Sequence, residues 1–199
     1  MTDDHTDVQQ FFTARAADWD ARFPDDGPKF AAAVAEMGLR PGDTVLDAGC
    51  GTGRALPHLR VAVGPEGTVL GADLTPAMLA AAVRAGRQRS GTLLLTDVAR
   101  LPLRDGVLDG VFGAGLVSHL PRPADDLREL ARAVRPGGRL ALFHPVGRAA
   151  LAARQGRCLT GDDLRAEPNL RPLLAEAGWD MVRYADEDER FLALAVRRG

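Results

Sequence analysis

The scarcities of this sequence narrow it first. Lysine occurs once, at position 29, so a Schiff-base lysine or a phosphate-gripping P-loop lysine has almost no candidate. The cysteines are Cys50 and Cys158, with no CxxC between them. That excludes the usual zinc spacing and makes a disulfide framework a poor expectation. No apolar run reaches the ~20 residues of a membrane span. The opening MTDDHTDVQQ is acidic and polar, without the basic and apolar regions of a secretion signal, so a cytoplasmic protein without membrane attachment is expected. An excess of one charge is also missing: the formal net charge is −2, and arginines alternate with acids, as in RAGRQR against DEDER. Such runs read as solvated faces, and a nucleic-acid partner is disfavoured.

What is present suits one compact domain: 199 residues, 46% of them hydrophobic. Val8, Phe12, Ala16, Trp19 and Phe23 recur at spacings of three and four, which predicts an amphipathic helix over 8–23. A second helix is expected from Pro28 to Gly38. Then turn, strand and helix alternate: RPGDTVLDAGCGTG, a helix from Arg54 to Val63, GPEGTVLGADL, a helix from Pro76 to Ala85, TLLLTDV, LDGVFGAGLV, a helix from Pro123 to Arg135, and RPGGRLALFHPV. The apolar runs fit strands buried on both faces of a parallel sheet. A further helix over 168–177 closes at Gly178. WDMVRYA and FLALAVRR, joined by DEDER, predict an antiparallel hairpin at the end. The expectation is an α/β fold with a mostly parallel sheet, an antiparallel C-terminal strand and helices on both faces. There is no linker or repeat, so residues 1–199 form a single domain.

The informative stretch is VLDAGCGTG, residues 45–53. A strand runs into Gly49, Gly51 and Gly53, where the absence of Cβ lets the backbone turn sharply and approach a ligand. A nicotinamide fingerprint would place its third glycine at 54, which is Arg54. Asp73 ends the second strand, where a carboxylate can accept two hydrogen bonds from a cis-diol. Asp97 follows the third. The G-x-G-x-G spacing resembles motif I of the class I S-adenosylmethionine-dependent methyltransferases, and the string from Thr96 to Leu142 is similar to their small-molecule, menaquinone- and ubiquinone-type members. The resemblance covers about residues 40–145.

It implies a Rossmann-like seven-stranded methyltransferase sheet and S-adenosyl-L-methionine as cofactor. It assigns the cofactor to Asp47, Gly49, Cys50, Gly51, Gly53, Asp73, Leu74, Asp97, Val98 and Ala114. Asp73 would take the ribose, Asp97 and the Val98 N–H the adenine, and Asp47 would face the methionine end. The implied activity is methyl transfer to an O-, C- or N-nucleophile on a small molecule. The alternatives on the same fold are an RNA or protein methyltransferase, or a catalytically silent cofactor-binding partner protein. No metal is implied. Ala114 stands where many nucleic-acid amino methyltransferases carry Asp or Asn before Pro-Pro, which disfavours that chemistry.

His119 and His144 sit at the ends of the fourth and fifth strands, where ligands of such sheets bind. Each could serve as a general base if the acceptor must lose a proton; each could equally be a packing residue. Five of the ten aromatic residues, Phe11, Phe12, Trp19, Phe23 and Phe30, fall in the first 30 positions. An N-terminal amphipathic helix beside this fold resembles the family's lid over the cofactor, which implies a helical lid or cap over residues 1–38; Phe12, Trp19 and Phe23 could equally pack on the sheet edge. The short stretch 147–167 leaves no room for a large substrate-binding insertion and points to a small acceptor. Asp162 and Asp163 read as turn or capping acids, and Cys50 and Thr52 as loop residues with backbone contacts.

Overall fold

A computed structural model describes residues 3–23 and 26–199. Seven strands form one sheet: β1 (Thr44–Ala48), β2 (Thr68–Asp73), β3 (Thr92–Leu95), β4 (Leu108–Ala114), β5 (Val134–His144), β6 (Trp179–Glu187) and β7 (Arg190–Arg197). Their order is β3-β2-β1-β4-β5-β7-β6. The first five pair in parallel, and β7 is antiparallel to both β5 and β6. This is the predicted mixed sheet. The strand order reverses between β1 and β4, which opens a crevice at the carboxyl ends of those strands.

Alternation along the strands divides the core. Val45, Val69, Phe112, Ala141 and Phe143 face α3 (Gly27–Met37) and α4 (Leu56–Val63). Leu46, Val111, Leu140 and Leu142 face α6 (Pro123–Ala133) and α8 (Glu167–Glu176). Trp179, the largest fully buried side chain, donates from Nε1 to the Leu127 carbonyl at 3.0 Å, so its one polar atom is satisfied inside the core. α5 (Pro76–Arg84) lies beside β2 and β3. Lys29 donates to the carbonyls of Pro145 and Glu189 and so ties α3 to the end of β5 and to the β6–β7 turn.

Four boundaries differ from expectation. The single helix over 8–23 is two, α1 (Asp3–Thr13) and α2 (Trp19–Arg22), separated by turns. The break lets Phe12, Trp19 and Phe23 stack in sequence while Asp20 reaches the glycine loop. α6 stops at Ala133, because Val134 already pairs with Leu108 and a register shift there absorbs Pro136 and Gly137 within β5. Cross-strand pairs run from Asp186–Phe191 to Glu187–Arg190, so the hairpin turn is Asp188 and Glu189 alone. A short helix, α7 (Arg148–Arg154), occupies part of the stretch after β5 that had no predicted element.

Candidate active site

β1 delivers Asp47 to the crevice and the chain turns at once through Gly49, Gly51 and Gly53, all at positive φ, where a side chain would be strained. A Cβ at Gly53 would come within 2.8 Å of Leu56, whereas at Gly51 it would project into open space. The loop is therefore packed beneath and free above. Cys50 anchors it: its N–H donates to the Ala72 carbonyl and its thiol is buried. Burial, with Asp47 and Asp73 nearby, pushes the Cys50 thiol well up, so it is no nucleophile.

Asp73, at the end of β2, accepts the Gly51 N–H on Oδ2 and the Thr75 N–H on Oδ1, both at 2.8 Å. It thus fixes the loop and the start of α5 together. Each carboxylate oxygen has a second acceptor position. Burial raises its carboxyl pKa, opposed by the hydrogen bonds from Thr75 and Gly51. Asp47 is more extreme. It is almost wholly buried and its Oδ2 has no hydrogen-bond partner. Burial, and then the charge of Asp73, pushes its carboxyl up to about 8. A buried polar atom without a partner costs roughly 1–3 kcal/mol, a cost that a polar or cationic ligand would offset.

On the third strand's side, Asp97 accepts the Ala99 N–H at 2.9 Å and caps the 3-10 turn Val98–Arg100. Asp97 and Val98 are half-buried, as are Leu74, after β2, and Ala114, at the end of β4. The ten residues expected around a cofactor thus lie on the carboxyl ends of β1 to β4 and the segments that follow them.

Of residues 1–38, α1 and α2 pack over this edge, whereas α3 lies in the core against the sheet face because Phe30, Ala33, Val34 and Met37 are buried there, so the expected cap is narrower than 1–38; residues 1, 2, 24 and 25 lie outside the described residues. Gln9 donates to the Leu74 carbonyl at 2.8 Å. Asp20 accepts from the Thr52 hydroxyl and pairs with Arg87, each at 2.7 Å. Arg54 donates to the Phe23 carbonyl and pairs with Asp26. Thr52 therefore makes a side-chain contact beyond its expected backbone role, and Asp20 and Arg87 had no signal in the sequence.

His119 follows β4 in the 3-10 turn Val117–His119, exposed at one edge, with its ring against Phe12 at 5.1 Å. His144 ends β5 half-buried; its Nδ1 lies 2.8 Å from the carbonyl and 3.1 Å from the N–H of Val146, which leaves Nε2 for other work. Desolvation lowers the pKa of both, and Arg165 lowers both further; for His144 the Val146 hydrogen bond and Asp26 oppose this, and Arg154 adds to it. Both shifts favour the neutral ring, the form that can accept a proton. Elsewhere the acids are structural: Asp105 pairs with Arg132, Asp109 with Arg135, and Asp125 with Arg128, while Asp126 accepts the Arg122 N–H at the start of α6. Among the described residues, no cluster of His, Cys, Asp or Glu is arranged to hold a metal, and no helix is long and apolar enough to cross a membrane.

Residues 46–142, which run from the glycine loop through the acceptor end of β4 to β5, match the family model described as a methyltransferase domain. These residues form a methyltransferase domain of the class I S-adenosylmethionine-dependent kind. Its family cofactor, S-adenosylmethionine, is the one that the loop and its acids suit: open space above Gly51, spare acceptor capacity on Asp73 and an unpartnered oxygen on Asp47. Among relatives, the chain is 32% identical over 176 residues to the arsenite methyltransferase of Halobacterium salinarum, covering 81% of this chain and 42% of that one. It is 29% identical over 195 residues to the ubiquinone/menaquinone biosynthesis C-methyltransferase UbiE of Pseudomonas savastanoi, covering 81% and 75%. Three curated relatives are matched over only 32%, 42% and 59% of their own length. The crystal structure of a SAM-dependent methyltransferase from Aquifex aeolicus superposes with a TM-score of 0.68 at 27% identity, covering 82% of this chain and 87% of that one.

Proposed function

We propose that this methyltransferase-family chain binds S-adenosylmethionine in the β1–β3 crevice and transfers its methyl group to a small-molecule acceptor. The observation that carries the reading is the pairing of a glycine loop open above Gly51 with the unpartnered Asp47 Oδ2 beneath it. In this reading Asp73 accepts the ribose hydroxyls on its remaining lone pairs. Asp97 and the Val98 N–H read the adenine, with Leu74 and Ala114 as flanking walls. Gly49, Cys50, Gly51 and Gly53 present backbone to the cofactor, and Asp47 faces its methionine end.

The bound cofactor supplies a methyl group on a positively charged sulfur, already a good leaving group. The chain's own task is alignment and exclusion of water. Helices α1 and α2 act as the lid, held by Gln9 on Leu74 and Asp20 on Thr52 and Arg87. The acceptor lies towards the ends of β4 and β5. His119 takes the acceptor proton where one must leave, as the more exposed of the two rings, and His144 is held by Val146 as a support. Cytoplasmic residence accords with two unbonded cysteines, one of them exposed.

The test is incubation of the protein with methyl-labelled cofactor and a broad metabolite pool, beside calorimetry with S-adenosylmethionine and with NAD. Label in a small-molecule product, and binding of the former nucleotide alone, is the expected result. Binding of NAD in preference, or label only in added RNA or protein, would overturn it.

A further inference from the structure

A withdrawn charged cluster stands beside the two histidines, and nothing in methyl transfer as described above uses it. Arg148, the first residue of α7, donates from Nε to Asp163 at 3.0 Å, and from one terminal nitrogen to Asp186 at 3.1 Å and the Tyr184 hydroxyl at 3.4 Å. Its backbone N–H also reaches Asp186, at 2.8 Å. Arg165, in the loop before α8, donates its backbone N–H to Asp163 at 2.9 Å, and the Tyr184 hydroxyl donates to its carbonyl at 2.9 Å. Segments distant in sequence, from α7, the following loop and β6, are thus locked together around two arginines.

The two arginines are not equivalent. Arg148 is matched by two carboxylates. Arg165 has only a long 3.4 Å contact from Nε to an Asp163 already engaged by Arg148, and neither of its terminal nitrogens has a hydrogen-bond partner among the described residues. Yet its side chain is only 13% exposed, a poor place for an unmatched guanidinium. Its charge acts on both His119 and His144. The loop conformation is imposed by Asp163 and Tyr184, so the fork is held in place before any ligand arrives.

Resting on the proposed function, we propose that Arg165 determines acceptor specificity by gripping a carboxylate of the methyl acceptor, whose nucleophile then faces the His119–His144 side. A planar fork pairs with a carboxylate through two parallel hydrogen bonds. The geometry suits a single carboxylate: Asp163 and Asp186 are taken up by Arg148, which leaves one fork, that of Arg165, with both terminal nitrogens unengaged.

The test keeps cofactor and acceptor apart. S-adenosylhomocysteine is first titrated into the full-length protein; failure to bind overturns the cofactor reading and this inference with it. Hydroxy- and amino-acids, each paired with its carboxamide and with a phosphate-bearing counterpart, are then scored for label transfer. Acids should exceed their amides at least tenfold in kcat/KM. Arg165→Gln should lower kcat/KM for acids about ten- to a hundredfold more than for their amides, mostly through KM, with Arg165→Lys in between. If Arg165→Gln does not fold, the lysine variant carries the comparison. Independently of turnover, loss of the positive charge should raise the NMR titration midpoints of His119 and His144 in the ligand-free protein. Equal rates for acids and amides, no acid methylated although S-adenosylhomocysteine binds, a preferred phosphate, an acid preference that survives Arg165→Gln, or unmoved histidine midpoints would each overturn the assignment.

Discussion

The two ends of the crevice are built from different materials. The β1–β3 end is mostly backbone: three glycines, the N–H groups of Gly51 and Thr75 held by Asp73, and a capped turn after Asp97. The β4–β5 end is mostly side chains, drawn from His119, His144, Arg148, Asp163, Arg165 and Tyr184. Backbone constructions tolerate little change in residue type, because only glycine fits. Side-chain constructions can be re-equipped one residue at a time. The contrast accounts for a family that keeps one cofactor while its relatives carry names as different as arsenite and quinone methyltransferases.

The largest expected effect breaks the backbone end. Gly51→Val places a side chain in the open space above the loop, at a φ of +54° that valine resists. Calorimetry should show cofactor binding lost, while circular dichroism retains the folded signal; undiminished binding would move the cofactor away from this loop.

Second is the side-chain end. His119→Gln should lower turnover roughly a hundredfold for an acceptor that must lose a proton. Its acid-side limb, which lies below the ordinary histidine range because burial and Arg165 lower the pKa, should disappear from the pH profile. Cofactor affinity should hold. His144→Gln, measured at saturating cofactor beside it, should change turnover less; the reverse order would exchange their roles, and no change in either would leave alignment as the whole mechanism.

Third, Asp73→Ala should weaken S-adenosylmethionine about ten- to a hundredfold, from the loss of charged hydrogen bonds worth roughly 1.5–3 kcal/mol each. Asp73→Asn, which keeps an acceptor oxygen, should lose less. Equal affinity in the alanine variant would remove the ribose assignment.

The smallest effect is a slope. The Asp47 carboxyl titrates near 8 in the fold against 3.8 ordinarily, so between those values the folded chain holds a proton that the unfolded chain has released. Stability of the ligand-free protein therefore falls as pH rises through that window. Asp47→Asn removes the titration, and its melting temperature should decline less than that of the wild type between about pH 6 and 8. Identical slopes would mean that Asp47 is ionised and solvated.

The same contrast explains what could be read in advance. The parallel strands were legible because Val45, Leu46, Val111 and Leu140 are buried on opposite faces and write continuous apolar runs. The glycine turn was legible because spacing within one turn is a local property, and the positions of Asp73 and Asp97 because each stands at the end of an apolar strand or just after one. Helix α7 was not, since a seven-residue stretch of arginine and alanine has too little periodicity to stand out. Nor was the break in 8–23, which tertiary contacts of Asp20 impose on a run whose local pattern is helical throughout. Asp163 read as a turn or capping acid and does hold a turn, through the Arg165 N–H, but its pairing with Arg148 depends on a loop path that no spacing encodes.

The placement of the two tryptophans has an optical consequence. Trp179 is sealed in the core with its indole nitrogen bonded to a carbonyl, whereas Trp19 sits half-buried in the proposed lid, 5.5 Å from Phe12 and 5.4 Å from Phe23. The chain therefore emits from one fixed, dry fluorophore and one whose surroundings change whenever α2 leaves Thr52 and Arg87. Red-shifted emission quenched by iodide should report the lid, and blue emission beyond the reach of iodide supplies a constant reference. Opening and closing can thus be timed in the unlabelled protein, before any acceptor is in hand.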